Sequence, residues 1–174
     1  MIAEARQVAS PNCDERPCEP QLIVVHGISL PPGEYGGPYI DQLFTNTLDA
    51  GEHEYFAEIA GLEVSSHLLI RRDGELVQYV DLYHRAWHAG RSCYEGREAC
   101  NDFSVGVELE GVDDQVYTEQ QYAVLLDTLE LLKREVPGLS DAAVVGHSDI
   151  APGRKTDPGP AFDWQRIPSE LKGA

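Results

Sequence analysis

The stretch Gln21-Leu-Ile-Val-Val-His26 places four consecutive apolar residues directly before a histidine. A short, β-branched apolar run of this kind predicts a buried strand, with His26 at its end. Ala142-Ala-Val-Val-Gly-His147 repeats the order, an apolar strand followed by a histidine. Because strand ends present side chains from a rigid scaffold, two such histidines favour a shared site over two unrelated structural histidines.

Further strands are indicated between these two. Residues 66–72 and 75–80 are predicted to form a hairpin, because the Asp73-Gly74 pair supplies the backbone angles of a tight turn. Residues 103–109 alternate apolar residues with Ser, Gly and Glu. This pattern predicts a period-2 strand with one face buried and with Glu108 pointing away from its apolar neighbours.

One long helix is predicted over residues 118–136. Thr118 and Gln121 form a capping box, apolar residues then recur at helical spacing, and Pro137-Gly138 ends the pattern. Shorter helices are predicted over residues 39–45, 53–60 and 162–171. The order of elements predicts an α/β fold, bordering on α+β, in which a mixed central sheet is flanked by helices.

The length of 174 residues is typical of one domain, which we expect to span residues 1–174. Residues 1–20 are predicted to be an irregular leader, because prolines interrupt any periodicity. Residues 162–174 form the C-terminal tail.

The charge balance excludes several classes of partner. The chain has 13 Lys and Arg against 30 Asp and Glu, a formal net charge of −17. Such a field repels the phosphates of nucleic acids and anionic membrane surfaces. No apolar run approaches the roughly 18 residues of a spanning helix, and the N-terminal residues do not resemble a signal peptide. We therefore expect a cytoplasmic, monomeric protein that binds neither nucleic acid nor membranes.

The cysteines Cys13, Cys18, Cys93 and Cys100 leave three possibilities open. They could be free thiols, which a cytoplasmic protein favours, or form one or two disulfides of undetermined pairing. A structural zinc site is the least favoured, because the spacings are wider than Cys-x-x-Cys.

Asp157 adds a third candidate ligand to the two histidines. It follows His147 by ten positions, in the Pro- and Gly-rich segment Arg154-Lys-Thr-Asp-Pro-Gly-Pro160. Two imidazoles and one carboxylate leave the fourth tetrahedral position of Zn²⁺ open, which is typical of catalytic rather than structural zinc.

Four motifs, in the same order along nearly the whole chain, resemble the zinc-dependent N-acetylmuramoyl-L-alanine amidases. They are Leu22-Ile-Val-Val-His-Gly-Ile-Ser-Leu-Pro-Pro-Gly-Glu34, Arg85-Ala-Trp-His-Ala-Gly90, Asn101-Asp-Phe-Ser-Val-Gly-Val-Glu-Leu-Glu-Gly111 and Gly146-His-Ser-Asp-Ile-Ala-Pro152 with Arg154-Lys-Thr-Asp-Pro-Gly159.

The resemblance implies a role for each candidate residue. His26, His147 and Asp157 match the zinc ligands of the family. Glu108 matches the acidic residue that positions or deprotonates the attacking water, and Lys155 matches the lysine that stabilises the oxyanion. The implied reaction is hydrolysis, without a covalent intermediate, of the amide between (anhydro-)N-acetylmuramic acid and L-alanine in small muropeptides during cell-wall recycling.

Four further residues are candidate substrate contacts. Trp87 and His88 are expected to line the sugar and peptide site, and Asn101 and Arg154 lie beside the Glu108 strand and Lys155. An arginine at position 154 could hold a peptide carboxylate through two hydrogen bonds. His67, by contrast, is interpreted as a hydrogen-bonding core residue.

The chain departs from the family pattern at three positions. Gly27 stands where members commonly carry Asn, and Glu63 and Ala99 stand where some relatives have basic residues. These differences affect the expected binding of the substrate rather than the metal chemistry. Two alternatives also remain open: an amidase of the same fold that acts on intact peptidoglycan, and a non-catalytic peptidoglycan-binding protein.

Overall fold

The structure, a computed structural model, describes residues 2–173, so the first and last positions of the expected domain lie outside it. The described strands are β1 (Arg6–Gln7), β2 (Cys13–Glu15), β3 (Leu22–Ile28), β4 (Leu68–Ile70), β5 (Leu76–Gln78), β6 (His84–Ala86), β7 (Cys93–Tyr94), β8 (Arg97–Glu98), β9 (Ser104–Glu110) and β10 (Ala143–Gly146). The α-helices are α1 (Tyr39–Phe44), α2 (Phe56–Ile59), α3 (Glu119–Glu135), α4 (His147–Ile150) and α5 (Ser169–Lys172).

Six strands form the central sheet, in the order β1-β5-β4-β9-β3-β10. All neighbours in this sheet are parallel except β4 and β5, which form the antiparallel hairpin predicted around residues 73–74. The mixed sheet with flanking helices confirms the predicted fold class. Two small ribbons, β2 with β6 and β7 with β8, lie outside it.

The strands β3 and β9 lie at the centre of the sheet and pair along their full seven-residue lengths. All seven residues of β9 are buried. The prediction that only one face of residues 103–109 is buried is therefore wrong. Ser104, Gly106 and Glu108 do alternate with apolar residues, but the layer that they face is also covered by protein, as is usual for parallel sheets.

Helix α3 covers one face of the sheet. Its capping box is confirmed, since the Thr118 side chain accepts from the Gln121 N–H and the Gln121 side chain accepts from the Thr118 N–H. The buried leucines of α3 pack against the apolar residues of β3 and β9 in the largest hydrophobic cluster. On the other face, α1 and α2 pack over β4 and β5 in a second cluster.

The two ends of the chain differ from the sequence predictions. Residues 1–20 are not wholly irregular, because β1 extends the sheet beside β5 and β2 pairs with β6. The tail is not one helix: a 3₁₀ turn, Trp164–Arg166, precedes α5, and Pro168 interrupts the two.

All four cysteines lie within the described residues and are free thiols. Among residues 2–173, no helix is long and apolar enough to span a membrane.

Candidate metal centre and cleft

Three functional side chains come from three neighbouring parallel strands. His26 lies near the end of β3, and Glu108 is its direct register partner on β9. On the other side of β3, Gly146 of β10 pairs with Val25, so His147, the next residue, lies beside His26. Ligand sites of open parallel sheets form at this carboxyl edge. The topology therefore explains why residues 26, 108 and 147 meet.

The structure brings the three predicted metal ligands together. His26 Nδ1 lies 2.9 Å from His147 Nδ1, and Asp157 Oδ2 lies 3.3 Å and 3.1 Å from these two nitrogens. A tetrahedral zinc ion with bonds of about 2.0 Å separates its ligand atoms by about 3.3 Å. Within residues 2–173, this is the one group of three or more His, Cys, Asp or Glu that could hold a metal ion. The donor set and its dimensions therefore fit zinc.

The far side of His147 shows which of its nitrogens faces the metal position. His147 Nε2 lies 3.2 Å from the carbonyl oxygen of Ala89. A carbonyl only accepts hydrogen bonds, so Nε2 carries a proton, and in a neutral imidazole Nδ1 then presents a lone pair. Burial lowers the pKa of His26 to about 4, so this imidazole is also neutral at neutral pH and able to coordinate a metal.

Asp157 is held by backbone contacts on both sides. Its carbonyl oxygen accepts from the Ser148 N–H at 3.0 Å, and the Gly27 N–H donates to its Oδ2 at 3.4 Å. The next residue, Pro158, accepts a hydrogen bond from the Tyr117 hydroxyl at 2.9 Å. These contacts fix the carboxylate relative to both histidine strands.

Tyr117 is a site residue that the sequence analysis missed. A Cβ atom at position 27 would lie 2.5 Å from the Tyr117 hydroxyl oxygen. The absence of a side chain at Gly27, one of the three departures from the family pattern, therefore leaves room for Tyr117 to reach Pro158. No local signal marks Tyr117, because its partners are 41 and 90 positions away in the chain.

Glu108 is a buried carboxyl group beside the candidate metal ligands, with 7% of its surface exposed. Burial raises its pKa well above the usual range, and the negative charge of Asp157 acts in the same direction, while Lys155 opposes both. A carboxylate with a raised pKa is a stronger base than a free carboxylate, which suits it to accept a proton.

The ligand triad opens onto a cleft of about 700 Å³. This volume is typical of small-molecule sites. One wall is apolar and comes from the 28–32 loop, α1 and the region of α2; the other carries Glu108, Asp113, Asp114 and Lys155. Trp87 and His88 also line the cleft, and their contact with the substrate stays a prediction.

Asn101 and Arg154 are not among the described residues that line this cleft. Asn101 Oδ1 accepts from the backbone N–H groups of His88 and Ala89, at 3.1 Å and 2.7 Å. Arg154 Nη2 donates to the carbonyl oxygens of Ala89 and Arg91, both at 2.7 Å. Both side chains hold the segment beside the site, and their role as direct substrate contacts stays a prediction.

His67 has the position expected of a core residue. It is completely buried, its Nδ1 accepts from the Gly106 N–H at 3.0 Å, and its Nε2 lies 3.0 Å from the His84 carbonyl oxygen. It is therefore engaged by backbone on both sides and does not join the metal ligands.

Comparison with known proteins gives consistent results. The model of the N-acetylmuramoyl-L-alanine amidase family matches residues 16–160. The chain is 60% identical over 168 residues to the 1,6-anhydro-N-acetylmuramyl-L-alanine amidase AmpD of Escherichia coli (strain K12), covering 95% of this chain and 91% of that protein.

Two solved structures extend the comparison. The crystal structure of a selenomethionine derivative of AmpD superposes with a TM-score of 0.93 at 58% identity, covering 96% of this chain and 94% of the other. The E. coli amidase AmiD, in complex with anhydro-N-acetylmuramic acid-L-Ala-D-γ-Glu-L-Lys, has a TM-score of 0.64 at 26% identity, covering 92% of this chain and 62% of the other.

Proposed function

The chain belongs to the N-acetylmuramoyl-L-alanine amidase family, and on that premise we propose that it hydrolyses the amide bond between 1,6-anhydro-N-acetylmuramic acid and L-alanine in muropeptides of cell-wall recycling. The observation that carries the mechanism is the triangle of His26 Nδ1, His147 Nδ1 and Asp157 Oδ2 at the edge of the cleft. We assign these residues to a catalytic zinc ion. The E. coli amidase AmiD, bound to an anhydro-muropeptide, supports a substrate of the same class.

When bound, zinc supplies Lewis-acid chemistry: it polarises the scissile carbonyl group and lowers the pKa of water at the site. Glu108, as the register partner of His26, is the group placed to accept the proton of the attacking water. Water oxygen bonds to the carbonyl carbon, and the proton passes from Glu108 to the alanine nitrogen as the C–N bond breaks. The raised pKa of Glu108 makes its carboxylate a stronger base toward the attacking water.

Lys155 is the cationic group of the cleft wall. An ammonium group there favours the negative charge that develops on the carbonyl oxygen as water adds. Trp87 and the apolar wall supply the surface for the sugar and the peptide. The new carboxyl group gives its remaining proton to the released amine or to solvent, so the products are the muramic acid carboxylate and a peptide with a new N-terminal alanine.

Mass spectrometry of the products from a defined anhydro-muropeptide tests this function. We expect release of the L-alanyl peptide, loss of release with a strong chelator, and recovery on addition of zinc. Full turnover after zinc removal would contradict the assignment. Parallel assays on intact sacculi distinguish the recycling enzyme from an amidase of intact peptidoglycan, and the absence of turnover on both would indicate a binding protein.

The cytoplasmic location and the monomeric state expected from the sequence remain predictions. Cell fractionation and the sedimentation coefficient of the purified protein test them.

A further inference from the structure

A series of hydrogen bonds that begins at a backbone carbonyl group determines which nitrogen of His26 faces the metal position. From this we propose that His88 and Ser104 are positioning residues, which hold His26 in the tautomer and orientation that bind the metal. The proposal rests on the metal site of the proposed function. It differs from the sequence interpretation of His88 as a substrate contact.

This series of hydrogen bonds begins at the carbonyl group of Cys100. The Ser104 hydroxyl oxygen lies 2.6 Å from the Cys100 carbonyl oxygen, and 3.1 Å from His88 Nε2. The carbonyl can only accept, so the single hydroxyl proton of Ser104 is donated to it. Ser104 must then accept from His88, which places a proton on His88 Nε2.

The same assignment of protons to nitrogens extends to the metal position. A neutral imidazole carries one proton, so His88 Nδ1 presents a lone pair. His26 Nε2 lies 2.8 Å from that lone pair and must donate to it. The remaining nitrogen of His26, Nδ1, is then free of a proton and faces His147 and Asp157.

The two metal-facing nitrogens therefore converge without a proton between them. In a neutral His147 ring Nδ1 is also unprotonated, because Nε2 donates to Ala89. Two lone pairs 2.9 Å apart, with a carboxylate oxygen near both, form a set of donor atoms suited to a cation at the centre. Hydrogen bonds from the far side of a ligating histidine are a known means of fixing its tautomer.

Strand β9, against which His88 packs, leaves space for the imidazole ring. A Cβ atom on Gly106 would lie 2.6 Å from Cγ and 2.7 Å from Nδ1 of His88. Any larger residue at position 106 would move the ring away from His26. Both Ser104 and Gly106 of β9 therefore position the His88 ring. Ser104 does so through a hydrogen bond, and Gly106 by leaving the space that the ring occupies.

One short segment, residues 88–91, orients both metal-binding histidines. It supplies the His88 ring for His26 and the Ala89 carbonyl for His147. Asn101 holds the backbone N–H groups of this segment, and Arg154 holds two of its carbonyl groups. This arrangement accounts for the position of Asn101 and Arg154 away from the cleft surface.

Zinc affinity tests the proposal, measured by competition with a chromogenic chelator on protein freed of metal. We expect Ser104→Ala to weaken zinc binding about 10–100-fold, because His88 can then carry its proton on Nδ1 and donate to His26. His88→Ala should do the same, whereas His88→Asn, which can present an amide oxygen near the position of Nδ1, should recover part of the affinity. The matched control is Ser10→Ala, since Ser10 is also a buried serine that donates to a backbone carbonyl, that of Phe44. It should leave zinc affinity unchanged.

Histidine ring nitrogens, observed by ¹H–¹⁵N NMR of the native metal-free protein near pH 8, provide a second readout that needs no variant to fold. We expect His26, His88 and His147 to carry their protons on Nε2. A proton on Nδ1 of His88 would overturn the proposal. So would native-like zinc affinity in a folded Ser104→Ala protein, in which case the metal site itself stands. If the native protein binds no zinc, the proposed metal site is wrong, and the inference that rests on it is wrong as well.

Discussion

The two faces of strands β3 and β9 are equally buried, yet they differ in chemistry. Toward α3, the residues Ile23, Val25 and Val107 pack against leucines in one hydrophobic cluster. On the opposite face, Leu22 and Val24 form part of another hydrophobic cluster, whereas His26 and Glu108, nearer the carboxyl end, are polar and also shielded from water, with 1% and 7% of their surfaces exposed. Alternate residues of the same strands therefore serve two different purposes.

This difference shows which contacts stabilise the fold and which contacts orient the side chains of the site. Apolar contacts tolerate changes of shape and contribute through the area that they bury. Buried polar groups cost free energy unless every donor and acceptor is matched, so they impose exact directions on one another. We expect substitutions on the apolar face to change the free energy of unfolding, and substitutions on the polar face to change metal binding, catalysis and pH dependence.

His26→Ala should have the largest effect. Removing a metal ligand removes several kcal/mol of transition-state stabilisation, so kcat/KM should fall by at least about 1000-fold. The measurement is peptide release with zinc in excess. The exposed His84 provides the control, because His84→Ala should retain native turnover. Native activity in His26→Ala would show that the polar face is not the catalytic one.

Glu108→Gln should come next, with kcat lower by about 10²–10⁴-fold, because the amide cannot accept the proton of the attacking water. Zinc affinity should remain near native, which separates this effect from that of His26→Ala. Asp114→Asn is the matched comparison, since Asp114 lines the same cleft. An equal loss of kcat in both variants would indicate a general effect of negative charge rather than proton transfer by Glu108.

Leu129→Ala tests the apolar face. Leu129 is fully buried in α3, so its truncation should lower the free energy of unfolding in urea by about 2–5 kcal/mol. Turnover of the folded protein should stay near native. Asp127→Ala, at an exposed position of the same helix, should change the free energy of unfolding by less than about 0.5 kcal/mol. A loss of kcat in folded Leu129→Ala would contradict the separation of the two faces.

His67→Asn should change the pH dependence of stability. Burial, followed by the charge of Arg16, lowers the pKa of His67 from 6.5 to about 3. Between these values the unfolded chain binds a proton that the folded protein does not, so stability present above pH 6.5 is lost as the pH falls. One such group contributes up to about 1.4 kcal/mol per pH unit.

Urea unfolding from pH 7 to pH 4 measures this slope. His67→Asn, whose amide oxygen can still accept from Gly106, should reduce it, whereas Leu129→Ala should keep the native slope. The same slope in native protein and His67→Asn would show that His67 does not titrate as a buried histidine.

Local sequence signals predicted the elements that are stabilised locally. The capping box of Thr118 and Gln121 fixed the start of α3, and Asp73-Gly74 identified the hairpin. The two-sided burial of β9 was missed, because its Ser, Gly and Glu residues look like a solvent face until the segments that cover them are known. The strands β1 and β2 were missed because two or three residues carry too weak a pattern, and their pairing partners lie 69–73 positions away.

The candidate site shows the same limit. His26 and His147 could be found because each follows an apolar strand, and their convergence is seen in the structure. The functions of His88 and Asn101 depend on which nitrogen or oxygen meets which backbone group, and spacing along the chain does not encode that. Position within a motif identified these residues, but not what they contact.

The Tyr117 hydroxyl links the two faces thermodynamically. Tyr117 directly precedes the N-cap of α3 and donates to Pro158, the neighbour of the ligand Asp157. A ligand that binds only the folded state adds its binding free energy to the stability of whatever must be ordered to form its site. On the proposed assignment, we therefore expect metal binding to be coupled to the order of the first turn of α3, so that each stabilises the other to the same extent.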